Sequence, residues 1–325
     1  MRLSAREERW PIAGVFTIAR GAKTEARVIV VEIEANGVAG RGEAVPYARY
    51  GETIDGTLAE IEVVGAAIAR GCDRIRLQAL MRPGAARNAV DCALWDLEAK
   101  QSGTPAWTLA GAPAPRPVET AFTLSLDAPQ AMGRAARAAA ERPLLKLKIG
   151  GADDLDRVAA VRTAAPRAGL IVDANEALTM DDLARLAGDF ARLGVRLIEQ
   201  PLRAGEDGPL EGFSSPVPLC ADESLHTRAD LEACARRYAC VNIKLDKAGG
   251  LTEALALSRE ARARGLSVMA GCMVATSLAM APAMIIAQDA AFVDLDGPLL
   301  LARDRVPGLR YDGSLIQPPP RALWG

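Results

Sequence analysis

The pattern of hydrophobic and polar positions changes about a third of the way along the chain. From about Pro11 to Glu43 it is β-rich. ARVIVVEIEANGVAGRGEA holds two apolar runs separated by Ala-Asn-Gly, a hairpin signal. Ile54 to Arg70 and Ala85 to Gln101 read as helices; the second places Ala89, Cys92, Ala93, Trp95 and Leu97 near one face and stops at Ser-Gly. Strands followed by helices suggest an α+β unit, and the Pro/Ala stretch GAPAPRPVE reads as the linker that ends it.

Beyond the linker, short apolar runs alternate with helical segments. The runs are AFTLSL (121–126), LLKLKIG (144–150), GLIVDAN (169–175), VRLIEQP (195–201), PLCADES (218–224), CVNIKLD (240–246), LSVMAGC (266–272) and FVDLD (292–296). QAMGRAARAAAE, DLDRVAAVRTAA, TMDDLARLAGDFARL, TRADLEACARR and LTEALALSREARARG are helical in pattern, and the fourth connection, EDGPLEGF, is the weakest. This repetition makes a closed (β/α) barrel the leading reading. A doubly wound open sheet is the alternative, but no Gly-x-Gly-x-x-Gly turn follows any of the runs.

Composition acts mainly by exclusion. At 325 residues and 50% hydrophobic, the chain has material for a large barrel or two domains. A net charge of −2 and only 4% aromatics argue against a nucleic-acid partner. The one histidine, His226, excludes any site that needs two; it reads as a surface or supporting residue. Six cysteines without a Cys-x-x-Cys pair read as reduced thiols of a cytoplasmic protein. MRLSAREERW, with no apolar core behind its charges, does not read as a secretory signal, and none is expected. Val268–Ala287 is long enough to span a bilayer, yet it holds Gly271, Thr276, Ser277 and Pro282 and divides into a short strand and a buried helix. No membrane partner is expected.

Polar residues stand near the carboxyl ends of the apolar runs: Lys148, Asp173, Glu199, Asp222, Lys244, and Asp294 with Asp296. The first five are spaced by 25, 26, 23 and 22 residues, about one βα unit each. In a barrel such residues converge at one mouth. Three carboxylates there need a counter-charge, and oxygen ligands without clustered His or Cys point to Mg²⁺ or Mn²⁺. Lys146 and Lys148, two apart, share a face of their strand. With Lys244 they flank the acids, the arrangement for removing and returning an α-proton beside a metal-bound carboxylate.

KLK (146–148), VDANE (172–176), IEQP (198–201), ADES (221–224) and NIKLDKAGGLTEAL (242–255) resemble the muconate-lactonising subgroup of the enolase superfamily, over nearly the whole chain. The resemblance implies an α/β fold, a (β/α)7β modified TIM barrel with an α+β capping domain. It divides the chain into a cap (1–115), a barrel (116–305) and a tail returning to the cap (306–325). It implies Mg²⁺ on Asp173, Glu199 and Asp222, Lys148 and Lys244 as the two acid/bases, and Lys146 at the substrate carboxylate. Within the subgroup the chain is most similar to dipeptide epimerases of the L-Ala-D/L-Glu type. Asp294-Leu-Asp296 resembles their Asp-x-Asp, which holds the dipeptide's ammonium. FTIARGAKTEARV (16–28) resembles their cap loop, with Arg20 reaching the glutamate side chain, and GCMVATSLAMAPA (271–283) resembles their seventh-strand segment, from which Ala275-Thr276 departs. Thr123 is expected among the substrate-binding residues. The resemblance also implies murein peptide recycling, and a homo-oligomer is possible. The alternatives are an N-acylamino-acid racemase, an o-succinylbenzoate synthase, a muconate cycloisomerase, or a barrel that binds a peptide without turning it over.

Overall fold

All eight alternating runs form strands, here numbered one to eight: Phe122–Leu124, Leu144–Lys148, Gly169–Asp173, Val195–Glu199, Leu219–Ala221, Cys240–Ile243, Ser267–Gly271 and Phe292–Asp294. The structure, a computed structural model, describes residues 1–151 and 154–325. The strands lie parallel in sequence order in one sheet. Strands one and eight meet where the Ala121 N–H donates to the Val293 carbonyl at 2.8 Å and the Leu295 N–H to Thr120 Oγ1 at 2.9 Å. Helices follow the strands except in the fourth connection, which has only the 3-10 turn Gly208–Leu210. Strand eight leads to the four-residue helix Gly297–Leu300 in place of a full covering helix, so the fold is a (β/α)7β barrel whose fourth connection is reduced to a 3-10 turn.

The two-residue period of a strand builds the barrel interior in layers. Ala121, Leu144, Ile171, Leu197, Cys220, Cys240, Met269 and Phe292 form an apolar floor. Two residues further along each strand the inward positions become Thr123, Lys146, Asp173, Glu199, Asp222, Asn242, Gly271 and Asp294, all buried. The intervening side chains, among them Leu145, Leu147, Val172, Ile198, Val241 and Val268, point outward into the large core against the helices. Hydrophobic burial therefore fixes the register that lifts the polar layer to the mouth.

The cap is an antiparallel sheet of Arg2–Ile18, Gly21–Ala35 and Val38–Ala44 covered by helices Ile54–Ala69, Arg74–Leu80 and Ala85–Ser102. Asn36 and Gly37 take the left-handed conformation at the hairpin turn (φ 54° and 76°). The first strand begins nine residues before Pro11, because its alternating charges pair across the strands, as in Arg27 to Glu7 at 2.6 Å. Helix Ala85–Ser102 is buried on nearly every side and not along one stripe, since it lies between the cap sheet and the barrel. Gly40 and Gly42 allow that approach: a Cβ at either would come within 2.2 Å and 2.1 Å of the Ala93 and Ala89 carbonyl oxygens. On the barrel side, Trp95 Nε1 donates to Thr252 Oγ1 at 2.9 Å.

The last residues also lie against the cap, with the Gly325 N–H on Asp96 Oδ1 at 2.7 Å and Trp324 Nε1 on the Cys92 carbonyl at 3.0 Å. The apolar window from Val268 is divided between strand seven and the eleven-residue helix Ser277–Ala287. No helix among the described residues is long and apolar enough to cross a membrane.

Candidate active site

The hairpin of the first two cap strands folds over the barrel mouth. The Leu126 N–H donates to the Thr17 carbonyl at 3.0 Å, and the Ala302 N–H to the Pro11 carbonyl at 2.8 Å. Between hairpin and barrel lies a cavity of about 850 Å³ whose lining includes Lys146, Lys148, Asp222, Lys244, Asp294 and Asp296. Arg20, Lys23 and Tyr47 line it from the cap.

Lys146, 1% exposed, is the centre of the polar layer. Its Nζ stands 2.7 Å from Glu199, 2.7 Å from Asp294 and 3.1 Å from Asp173. The ammonium donates to Asp294 Oδ2; toward Glu199 it is close without hydrogen-bond alignment, and Glu199 Oε2 has no hydrogen-bond partner among the described residues. Lys148 Nζ donates to Asp173 Oδ2 at 2.6 Å, and Lys244 Nζ to Asp222 Oδ2 at 2.6 Å. Burial opposes the charge on Lys146 and Lys244, but the facing carboxylates outweigh it and hold both well above the ordinary lysine value. Burial likewise opposes ionisation of Asp173 and Asp222, and the lysines overcome it, so both lie below the usual carboxylate range. Glu199 is pushed up to about 7 by burial and the charge of Asp173.

Asp294 and Asp296 both line the cavity. Asp294 Oδ1 has no hydrogen-bond partner among the described residues, while Asp296 Oδ2 accepts the Thr123 N–H at 2.6 Å. Burial and the neighbouring Asp294 raise Asp296 to about 7. Arg20 lies in the roof but is engaged by protein groups: Asn175 C=O at 2.7 Å, Glu223 Oε1 at 2.7 Å, Tyr47 Oη at 3.1 Å and Glu176 Oε2 at 3.2 Å. His226 does not line this cavity, and its ring stands edge-on to Tyr50 at 4.4 Å between centroids.

Four neighbours of this layer are not singled out by strand spacing. Asn242 Nδ2 donates to Glu199 Oε1 at 2.8 Å. Lys247, three residues after Lys244 on the short helix Leu245–Ala248, donates to Asp222 Oδ1 at 2.5 Å and to the Asp222 carbonyl. Glu223 and Glu176 hold Arg20. The repeated Lys-x-x-Lys of NIKLDK is a signal for Lys247; nothing local marks Asn242. Lys23 lies 5.1 Å over the Tyr47 ring and has no carboxylate at ion-pair distance among the described residues. Burial and the charge of Arg20 lower its pKa.

As they stand, no three carboxyl, thiol or imidazole groups among the described residues are drawn together closely enough to hold a metal ion. Lysine ammoniums lie between the acids. The donor set nevertheless fits a hard dication. Asp173, Glu199 and Asp222 are buried oxygen donors at the carboxyl ends of adjacent strands, two of them already face one cation, and Glu199 Oε2 has no hydrogen bond among the described residues.

Residues 1–111 match the mandelate racemase/muconate lactonizing enzyme N-terminal domain, and residues 131–320 match the enolase C-terminal domain-like family. The chain is 48% identical over 307 residues to the L-Ala-D/L-Glu epimerase of Escherichia coli, covering 94% of this chain and 96% of that protein. It is 45% identical over 300 residues to an N-acetyl-D-glutamate racemase of Pseudoalteromonas, covering 92% and 95%. An enolase family member from Agrobacterium tumefaciens with homology to dipeptide epimerases, holding sodium and L-Ala-L-Glu, superposes with a TM-score of 0.98 at 52% identity, covering 99% of each chain. A dipeptide epimerase from Enterococcus faecalis complexed with Mg and L-Leu-L-Tyr gives a TM-score of 0.91 at 28% identity, covering 98% and 96%.

Proposed function

The chain belongs to the mandelate racemase/muconate lactonizing enzyme family of the enolase superfamily, and from that premise we propose that it is a dipeptide epimerase interconverting L-Ala-D-Glu and L-Ala-L-Glu. It is an isomerase. The observation that carries the activity is the placement of two lysines. Lys148 ends strand two and Lys244 follows strand six, four strands apart in a ring of eight, so they face the cavity from opposite sides.

Epimerisation at an α-carbon needs one group to take the proton from one face and another to return a proton to the other. Lys148 and Lys244 fill these roles, exchanging them with the direction of reaction. Lys146 lies beneath them and orients the substrate α-carboxylate by charge. Asp173, Glu199 and Asp222 would hold Mg²⁺, with Mn²⁺ as a possible substitute. When bound, the ion supplies positive charge that makes the α-hydrogen of a neighbouring carboxylate more acidic. Lys148 and Lys244, whose ammoniums donate to Asp173 and Asp222 at 2.6 Å, are the groups that would take and return the proton at the α-carbon.

Charge matching supports the choice of substrate. Asp294 and Asp296 give the eighth-strand side negative charge suited to the ammonium of a free amino terminus, with the Thr123 backbone holding Asp296. Lys23 gives the roof positive charge suited to an acidic second residue. We place the activity in murein peptide recycling and the protein in the cytoplasm, in keeping with six cysteines free of disulfides.

A second reading, racemisation of an N-acylated glutamate, is favoured by the 45% identity to the Pseudoalteromonas racemase. The test is kcat/KM for L-Ala-L-Glu and N-acetyl-glutamate on wild type and Asp296→Asn. The dipeptide reading requires the wild type to prefer L-Ala-L-Glu and the variant to lose mainly that activity. A wild type preferring N-acetyl-glutamate overturns it.

A further inference from the structure

We propose that Arg20 is a positioning residue, a latch holding the cap hairpin to the loops after strands three and five, and not the group that reads the substrate's second side chain. A guanidinium has five N–H donors. In Arg20 both Nη groups are committed: Nη1 donates to the Asn175 carbonyl and Glu176 Oε2, Nη2 to Glu223 Oε1 and Tyr47 Oη. Only the Nε–H remains. Bidentate capture of a carboxylate needs two parallel N–H groups, so Arg20 would have to abandon protein acceptors to take a substrate side chain.

Those acceptors cannot be released freely. The Glu223 side chain is 1% exposed, Arg20 is its cationic partner, and its second oxygen has no hydrogen bond among the described residues. Swinging Arg20 away would leave a buried carboxylate without its cation. Glu176, 7% exposed, also anchors Arg49 of the cap at 2.7 Å and accepts the Ala204 N–H at 2.8 Å. Asn175 and Glu176 both take left-handed backbone conformations (φ 44° and 73°), which non-glycine residues adopt at a cost. That turn presents the Asn175 carbonyl and the Glu176 carboxylate to the roof together. Asn175 and Glu176 lie two and three residues after Asp173, and Glu223 directly follows Asp222, so the latch fastens the lid to the loops carrying two of the proposed metal ligands. Its service to the reaction is a closed, water-excluding mouth.

The activity arm of the test rests on the dipeptide reading; the proteolysis arm does not. Arg20→Met should lower kcat/KM about 100-fold, by the same factor on L-Ala-L-Glu and L-Ala-L-Leu, as expected for a misplaced site. It should also speed thermolysin cleavage within residues 12–24 severalfold. Lys23→Met should change the ratio between the two dipeptides and leave cleavage as in wild type. If Arg20→Met does not fold by circular dichroism, Tyr47→Phe, which removes one acceptor, must still speed cleavage. Loss confined to L-Ala-L-Glu, or unchanged cleavage in a folded Arg20→Met protein, overturns the latch. A wild type inactive on every dipeptide would reject the activity, and the cleavage comparison would still decide the latch.

Discussion

Asn242 reaches Glu199 by passing over Gly271. Its Nδ2 donates to Glu199 Oε1 at 2.8 Å, and a Cβ on residue 271 would lie 2.3 Å from Asn242 Oδ1. The glycine of strand seven therefore keeps open the path by which strand six orients an acid on strand four. Gly271→Ala should displace Asn242, free Glu199 to turn, and weaken Mg²⁺ binding roughly 10- to 100-fold, the usual cost of losing a ligand's supporting hydrogen bond. Calorimetric titration with Mg²⁺ checks this; unchanged affinity would show that Glu199 does not depend on Asn242.

Cap and barrel are clasped at one buried acid. Glu43, with no side-chain exposure, accepts Arg305 Nη2 at 2.6 Å, the Thr276 hydroxyl at 2.5 Å and the Thr276 N–H at 2.8 Å. Arg305→Met removes the cation and leaves the acid buried. Urea unfolding should show a loss of about 3–5 kcal/mol, with much of it recovered when Glu43→Gln is added. An equal loss in the double variant would mean that packing by the Arg305 stem, and not charge, is responsible.

Asp246 joins cap to barrel by accepting the Val45 N–H at 2.8 Å and Asn88 Nδ2 at 3.0 Å, and burial pushes it up to about 7. In the unfolded chain an aspartate ionises near 4. Between about pH 4 and 7 the native state keeps a proton that the unfolded state has lost, so this group's contribution to stability falls as pH rises. Asp246→Asn should therefore gain on wild type across that window, by at most about 4 kcal/mol. Melting both proteins at pH 4.5 and 7.5 measures the difference; a gap that does not change with pH would contradict it.

The barrel was legible because strands two to six each carry a polar residue at or just beyond the carboxyl end of an apolar run. Lys148, Asp173, Glu199, Asp222 and Lys244 thus recur at the length of one βα unit. The first cap strand was hidden before Pro11 because ladder charges such as Glu7 and Arg9 look like a solvated surface until their partners are known. Asn242, Glu223 and Glu176 were hidden for another reason. Their partners lie 43, 203 and 156 residues away, and only closure of the barrel and seating of the cap bring them together. Arg20 was legible as a cation in the cap loop, but its local sequence carries no sign of the acids that occupy it.

The opposed lysines are tested most directly by α-hydrogen exchange of L-Ala-L-Glu and L-Ala-D-Glu in D₂O with Mg²⁺, followed by NMR on Lys148→Ala and Lys244→Ala. Both variants should lose epimerisation by several orders of magnitude, because turnover requires both an acid and a base. One variant should still exchange the α-hydrogen of one stereoisomer, and the other variant that of the opposite stereoisomer. The same stereoisomer exchanging in both variants, or full epimerisation surviving in either, would contradict a two-lysine reaction across the barrel.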